Sequence, residues 1–350
     1  MYKKNSFKTT LIVVCTCFLV NTSLVCQTVK ELPKETKENY VSYRDASISD
    51  EFNDDVLDTN KWGRRNTGTS STKNHYKDES LVTMEKEKLG DNVETNFVSI
   101  KGTAKNGPIR TAGIVSRASG YYGFYVVRFR FRGFDTQEIK DKGTIWHPSV
   151  WSGRQDNIDG VDRFSSAADH WIEIDLMEWE NGENGWSSDA PARFTDSKGI
   201  KRKVITKGAG AEKAIMKKEV VQSYQPVWQT IGLEYTPDYL KLWKWDEDDW
   251  VCYGERVVRF VDDDMVNPEI KYSINSIGKK ARKPCFWLLG NIVAGYINER
   301  VEKGTNMQTM DDMSVDFDFF RYYRHVGAEH IDWPWENEKP NGSPDIMKFD

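Results

Sequence analysis

The chain has 350 residues, of which 38% are hydrophobic and 13% aromatic, so it is long enough to bury a sizeable core in one large domain or two small ones. Its formal net charge is −5, and the absence of an overall basic field argues against nucleic acid as a partner. Thirteen tryptophans are available for core packing or as flat platforms for sugar rings.

The N-terminus has the pattern of a secretory signal. Three lysines within residues 1–8 precede an apolar run over 11–20, which is too short to cross a bilayer of about 30 Å. We therefore expect a signal peptide over 1–26 and a secreted protein, either extracellular or periplasmic. A lipid anchor on Cys26 is the alternative. No later segment is long and apolar enough to span a membrane.

Two cysteines remain after the predicted signal peptide, Cys252 and Cys285. Secretion permits a disulfide between them. The alternative is that both are small buried hydrophobic residues.

The next segments indicate one β-rich domain. Residues 27–45 are polar and predict a linker, and residues 329–350 predict a C-terminal tail. Between them, residues 46–328 contain many short runs in which apolar and polar residues alternate, separated by turn-forming residues, with one possible short helix over 209–220. The strongest runs are Tyr125–Phe131, Trp171–Leu176, Trp228–Tyr235, Tyr239–Trp245 and Val315–Tyr323. Alternation of this kind predicts strands, and many short strands predict an all-β sandwich.

The run WIEIDLMEW at 171–179 concentrates three acidic residues in a predicted strand. Because successive side chains of a strand point to opposite faces, Glu173 and Asp175 share one face. Glu178 is five residues from Glu173 and would face away in a regular strand. One extra residue in a β-bulge, at Leu176 or Met177, would return it to the same face.

Clustered carboxylates of this kind suit retaining glycoside hydrolysis. That reaction uses a nucleophile and an acid/base about 5–5.5 Å apart. Like charges held so close are costly and persist where function requires them. The alternative interpretation is a solvated acidic strand face.

Seven segments, including this one, resemble glycoside hydrolase family 16 in its bulged form, whose motif Glu-x-Asp-x-x-Glu reads EIDLME here. The resemblance covers about residues 46–325. The other segments lie, in order, at 49–62, 111–131, 143–151, 228–243, 283–295 and 313–324.

The resemblance implies a β-jelly roll of two curved antiparallel sheets with an open substrate cleft, and a retaining enzyme that cuts within a polysaccharide. It makes Glu173 the nucleophile, Asp175 its assistant and Glu178 the acid/base. No cofactor is required for this chemistry. The family often holds a structural calcium, for which the matching positions are Glu51 and Asp318, and oxygen ligands suit that ion; two ordinary surface acids are the alternative.

Aromatic residues and charge suggest the substrate. Trp146, Trp151 and Trp179 lie beside the catalytic segment and are candidate sugar platforms. Between Arg193 and Lys218 lie nine basic and two acidic residues, and arginine binds sulfate well. A second basic run is 279–283. Solvated basic loops are the alternative interpretation of both runs.

These features favour a β-1,4-galactan of red algae, sulfated and of the carrageenan type, with Arg193 in contact with it. The stretch 62–76 lacks the Trp-Gly-Asn-x-Glu-type motif of laminarinases, which weighs against a glucanase. Galactanases of the family often place a His fifteen to twenty residues after the acid/base, where this chain has Arg193. An agarase, a porphyranase and a laminarinase-like β-1,3-glucanase remain alternatives, as does a non-catalytic lectin. We expect a monomer.

Overall fold

The computed structural model describes 32–41, 44–64, 75–90, 93–103, 109–118, 120, 122–133, 146–154, 171–172, 174–179, 186–195, 201–207, 227–236, 239–246, 248–252, 258–261, 276–278, 285–293 and 313–327. The predicted signal peptide, the C-terminal tail, the possible helix and the second basic run lie outside these residues.

The described residues form strands and two short 3-10 turns, Lys37–Asn39 and Glu79–Leu81. The strands are β1 (Trp62–Arg64), β2 (His75–Lys77), β3 (Val82–Gly90), β4 (Val93–Gly102), β5 (Ile109–Ser116), β6 (Gly123–Arg132), β7 (Trp146–Arg154), β8 (Trp171–Ile172), β9 (Asp175–Glu178), β10 (Ser187–Thr195), β11 (Lys201–Lys207), β12 (Gln229–Tyr235), β13 (Tyr239–Asp246), β14 (Asp249–Cys252), β15 (Val258–Val261), β16 (Ser276–Gly278), β17 (Cys285–Val293) and β18 (Met313–Arg324).

These strands form two sheets, each with nine strands among the described residues. The first sheet has the order β1-β5-β17-β7-β9-β10-β11, with β2 beside β5 and β8 beside β10. The second has the order β16-β15-β13-β12-β6-β18-β4-β3, with β14 beside β13. Pairing is antiparallel except between β2 and β5 and between β15 and β16. The predicted jelly-roll sandwich of two antiparallel sheets is confirmed.

The core lies between the sheets because each strand turns alternate apolar side chains inward. Tyr125, Val127, Phe129 and Phe131 of β6 all belong to one large buried cluster. On the opposing sheet, alternate residues of β17 do the same, with Trp287 and Leu289 in that cluster. Burial of apolar surface at about 25 cal/mol per Å² makes this interface the main source of stability.

Residues 32–41 and 44–45 pack on the outside of the second sheet. The Tyr40 hydroxyl donates to Oε1 of Glu234 at 2.8 Å, and both side chains are buried. The backbone N–H of Val41 donates to the carbonyl of Arg324 at 2.9 Å. The prediction of a linker over 27–45 is therefore wrong from Leu32 onward, because these contacts hold the segment against the domain.

An arginine ladder lies on the outer face of β6, formed by Arg128, Arg130 and Arg132. Arg130 donates through Nε to Oδ2 of Asp316 at 2.9 Å and through Nη1 to Glu87 at 2.6 Å. The Arg130 guanidinium also lies 4.3 Å from the ring centroid of Trp228. These contacts neutralise charges that the strand alternation would otherwise bury without partners.

Two further sequence predictions concern cysteine and the membrane. Cys252 is in no disulfide and lies half-buried beside the aromatic cluster outside the second sheet, whereas Cys285 belongs to β17 in the first sheet. Cys252 therefore forms no disulfide with Cys285. Within the described ranges no helix is long and apolar enough to cross a bilayer.

Candidate active site

The acidic segment contains the predicted β-bulge, at Leu176. Across β7, Val150 pairs with Met177, but the next residue, Trp151, pairs with Asp175, so Leu176 is the extra residue. The same extra residue appears against β10, where Ser187 pairs with Glu178 and Asp189 with Asp175. The bulge prediction is therefore confirmed from both neighbouring strands.

The bulge sets which side chains face inward. Ile174, Leu176, Met177 and Trp179 all belong to the core cluster between the sheets. Two consecutive residues, Leu176 and Met177, therefore turn inward where a regular strand allows one. As a result, Asp175 and Glu178 lie together on the outer face of the first sheet, the face turned away from the second sheet.

Three polar contacts hold the bulged backbone. The backbone N–H of Ile174 donates to the Ser152 hydroxyl at 2.9 Å, and the Ser152 N–H donates to the Ile174 carbonyl at 2.8 Å. The Ser188 hydroxyl donates to the Leu176 carbonyl at 2.6 Å. A bulge leaves some backbone groups without partners in the regular ladder. The hydroxyl groups of Ser152 and Ser188, on the two neighbouring strands, supply partners for such groups.

Glu178 contacts a residue that the sequence analysis did not single out, His147 of β7. Nε2 of His147 lies 2.9 Å from Oε1 of Glu178, and the two side chains are 9% and 19% exposed. Asp175, on the same face, is almost fully buried. The sequence shows the alternation along β7 but not the pairing of Ser149 with Glu178, which brings His147, two residues before Ser149, beside the carboxyl group.

Glu173, the predicted nucleophile, lies outside the described residues, between Ile172 of β8 and Ile174. Arg193 is described as backbone only. It lies in β10, four residues after Asp189, and pairs with Trp171 and Lys203. β10 and β11 extend the first sheet beyond the acidic strand.

The tryptophan prediction requires a correction. Trp146 and Trp179 are each 1% exposed and belong to the core between the sheets, so neither is a sugar platform. Trp151 lies on the outer face, where it pairs with Asp175. It is 4% exposed and packs with Val115, Phe286 and Leu288.

The two carboxylates predicted to bind calcium form ion pairs with arginine side chains. Glu51 accepts from Nε and Nη2 of Arg321 at 2.8 and 2.6 Å and also pairs with Arg44. Burial raises the pKa of Glu51, but the bonds and charges of the two arginines outweigh it and hold that pKa below its ordinary value. Asp318 accepts from Arg128 at 2.7 Å and from Thr95 at 3.0 Å.

These residues do not fit a calcium ion, because the guanidinium groups already supply the positive charge that the ion would bring. No cluster of three or more potential metal ligands occurs among the described residues.

Neither a protein-family profile nor a curated protein matches the sequence. The fold resembles solved structures. β-Agarase A from Zobellia galactanivorans is 12% identical, with 85% of this chain and 98% of that chain covered, at a TM-score of 0.53. A laminarinase from Flavobacterium is 14% identical, with 79% and 98% covered, at 0.50.

A third structure comes from work on endo-acting O-glycanases that prominent members of the human gut microbiota express to initiate mucin breakdown. It is 15% identical, with 86% of this chain and 95% of that chain covered, at a TM-score of 0.50. At these identities the likeness establishes the shared jelly-roll sandwich.

Proposed function

We propose that the protein is a retaining endo-glycoside hydrolase of the family 16 type. The observation that carries the proposal is the bulge at Leu176, which places Asp175 and Glu178 on one face of the sheet. A purely structural strand has no need for an extra residue whose effect is to gather carboxylates. The same feature argues against a non-catalytic lectin.

In the proposed mechanism, Glu173 attacks the anomeric carbon while Glu178 gives its proton to the departing glycosidic oxygen. The sugar then forms an ester with Glu173, and the Glu178 carboxylate removes a proton from water that attacks the same carbon. Two displacements restore the original configuration. Asp175, between the two residues in sequence and on the Glu178 face, assists by holding Glu173.

The proposed substrate is a sulfated β-1,4-galactan of the carrageenan type. Support comes from the strands beyond the acidic segment, since Arg193 in β10 pairs with Lys203 and Asp189 pairs with Lys207 in β11. Even spacing along a strand is typical of residues on one face. Asp175 pairs with Asp189, so the basic residues at 193, 201, 203 and 207 occupy positions of the same parity as Asp175 in the sheet. They lie on the strands next to the proposed cleavage site.

We also propose that the protein is secreted, since its polysaccharide substrate is too large to enter a cell. We propose that it is a monomer. The N-terminal signal pattern supports secretion.

The reaction is tested with purified protein on carrageenans, agar, porphyran, laminarin and mixed-linkage glucan. We expect a rapid fall in viscosity on a carrageenan, and proton NMR of the first products should show the β-anomer. Cleavage of laminarin alone would replace the galactan proposal with the glucanase. An initial α-anomer would contradict retention, and no cleavage of any glycan would overturn the hydrolase.

Sulfate recognition is tested with Arg193→Ala. We expect KM for a sulfated galactan to rise several-fold in the variant, because arginine pairs with sulfate, while KM for unsulfated agarose changes little. In the unmodified protein, KM for the sulfated substrate should also rise between 0.1 and 1 M salt, as the Debye length falls from about 10 to about 3 Å. Arg117→Ala is the control. Arg117 directly follows strand β5 of the same sheet. Equal KM values across substrates and salts would remove sulfate recognition.

A further inference from the structure

His147 and Glu178 form a side-chain pair across two strands of the first sheet. Their contact of 2.9 Å joins Nε2 of the imidazole to Oε1 of the carboxyl group. His147 is the more buried partner, and its ring lies on the outer face because Trp146 and Val150 of the same strand face the core. The pair therefore leaves the second carboxyl oxygen of Glu178, Oε2, for other contacts.

The tautomer of His147 follows from the chemistry of its partner. An ionised carboxylate only accepts hydrogen bonds, so Nε2 must carry the proton and donate it to Oε1. If Glu178 is protonated on Oε2, its Oε1 is a carbonyl oxygen and still accepts from Nε2. One imidazole tautomer therefore fits both states that an acid/base passes through, provided that the acid proton is on Oε2.

Charged residues of the flanking strands define the electrostatic surroundings of the pair. Besides His147 and Glu178, the strands that flank the pair (β7, β9, β10 and β17) carry four charged residues: Asp175 in β9, Asp189 and Arg193 in β10, and Arg154 in β7. The residue opposite His147 on β17 is Ile292, and the residue opposite Glu178 on β7 is Ser149. Arg154 pairs with Cys285, seven residues from His147 along β7, and Arg193 pairs with Trp171, seven residues before Glu178, so neither arginine is at the register of the pair.

We infer that His147 is a positioning residue for Glu178, which fixes the carboxyl rotamer and keeps the acid proton on Oε2, directed to the glycosidic oxygen. The inference rests on the proposed function, because it gives Glu178 the role of acid/base. His147 also donates to the carboxylate formed when the proton leaves, which stabilises charge as it develops in the transition state.

A spectroscopic experiment tests the pair without any substrate. The protein is labelled with ¹⁵N-histidine, and the imidazole signal of His147 is followed against pH in the unmodified protein and in Glu178→Gln. Since a neighbouring carboxylate favours the imidazolium, the pKa of His147 should fall in the variant. An unchanged titration of His147 would overturn the inference, whatever the protein hydrolyses.

A kinetic experiment tests the consequence, on whichever polysaccharide the unmodified protein cleaves. His147→Ala should lower kcat about 10- to 100-fold with KM within about twofold, part of the 10²–10⁴ that general acid catalysis supplies.

His147→Gln, which keeps an N–H donor, should recover much of the loss. His325→Gln, the same change at a residue paired with Tyr40 beside the second sheet, is the matched control. A loss in His147→Ala that Gln does not recover would mean a structural role. If no glycan is cleaved, the proposed function fails, and the spectroscopic result still decides whether the two residues are coupled.

Discussion

Glu178→Gln is expected to lower kcat about 10²- to 10⁴-fold on natural polysaccharide, the range that a positioned general acid contributes. Gln keeps the size of the side chain but has no acidic proton for the leaving oxygen. Glu173→Gln should cost at least as much, since the covalent intermediate cannot form without the carboxylate. Asp175→Asn should cost less than either. Rates are measured as reducing ends released under saturating substrate.

The control is Glu94→Gln, the same substitution at an exposed residue of β4 in the second sheet. Its rate should equal that of the unmodified protein, and thermal unfolding should show that all four variants are folded. Activity at the unmodified level in both Glu173→Gln and Glu178→Gln would show that the carboxylates are a surface feature and would refute the mechanism.

The geometry of the acidic strand was predictable from sequence because it depends on local periodicity. The spacing of Glu173, Asp175 and Glu178 requires one extra residue, and Leu176 is that residue. The β-sandwich was predictable for the same reason, since alternation of apolar residues determines which face of each strand enters the core.

The contact between His147 and Glu178 was not predictable, because it depends on the register between two strands. A sequence shows the parity of a residue within its own strand but not its partner across the sheet. Trp146 and Trp179 were misassigned for a related reason. Aromatic side chains beside a catalytic segment are equally suitable for core and cleft, and only the strand's orientation decides between them.

The arginine pairs at the proposed calcium positions and the docking of the predicted linker both depend on partners far along the chain. Glu51 pairs with Arg321, 270 residues away, and Tyr40 bonds to Glu234, 194 residues away. No local pattern around Glu51 or Tyr40 indicates these partners. A polar segment such as 27–45 is therefore compatible with a free linker or with a docked strap until its distant contacts are known.

Asp316→Ala is expected to destabilise the fold by about 3–5 kcal/mol, the usual cost of removing one partner of a buried ion pair. Asp316 is fully buried on β18 and accepts from Arg130 at 2.9 Å, from Arg132 at 3.0 Å and from the Ser314 hydroxyl at 3.0 Å. Its loss leaves the buried guanidinium of Arg130 with Glu87 as its remaining described carboxylate. Urea unfolding followed by tryptophan fluorescence measures the change.

Asp316→Asn should cost less than the alanine variant, because the amide oxygen still accepts one of the three bonds while the charge is lost. Asp249→Ala is the matched control. Asp249 pairs with Lys34 at 3.3 Å and accepts from the backbone N–H of Trp250 at 2.9 Å, but the side chains of Asp249 and Lys34 are more than half exposed, so this change should lower the unfolding midpoint much less than Asp316→Ala does. Arg132 also donates to Glu85 at 2.7 Å. A midpoint for Asp316→Ala as high as that of Asp249→Ala would mean that Glu85 and Glu87 alone can neutralise Arg132 and Arg130, and that Asp316 is dispensable to them.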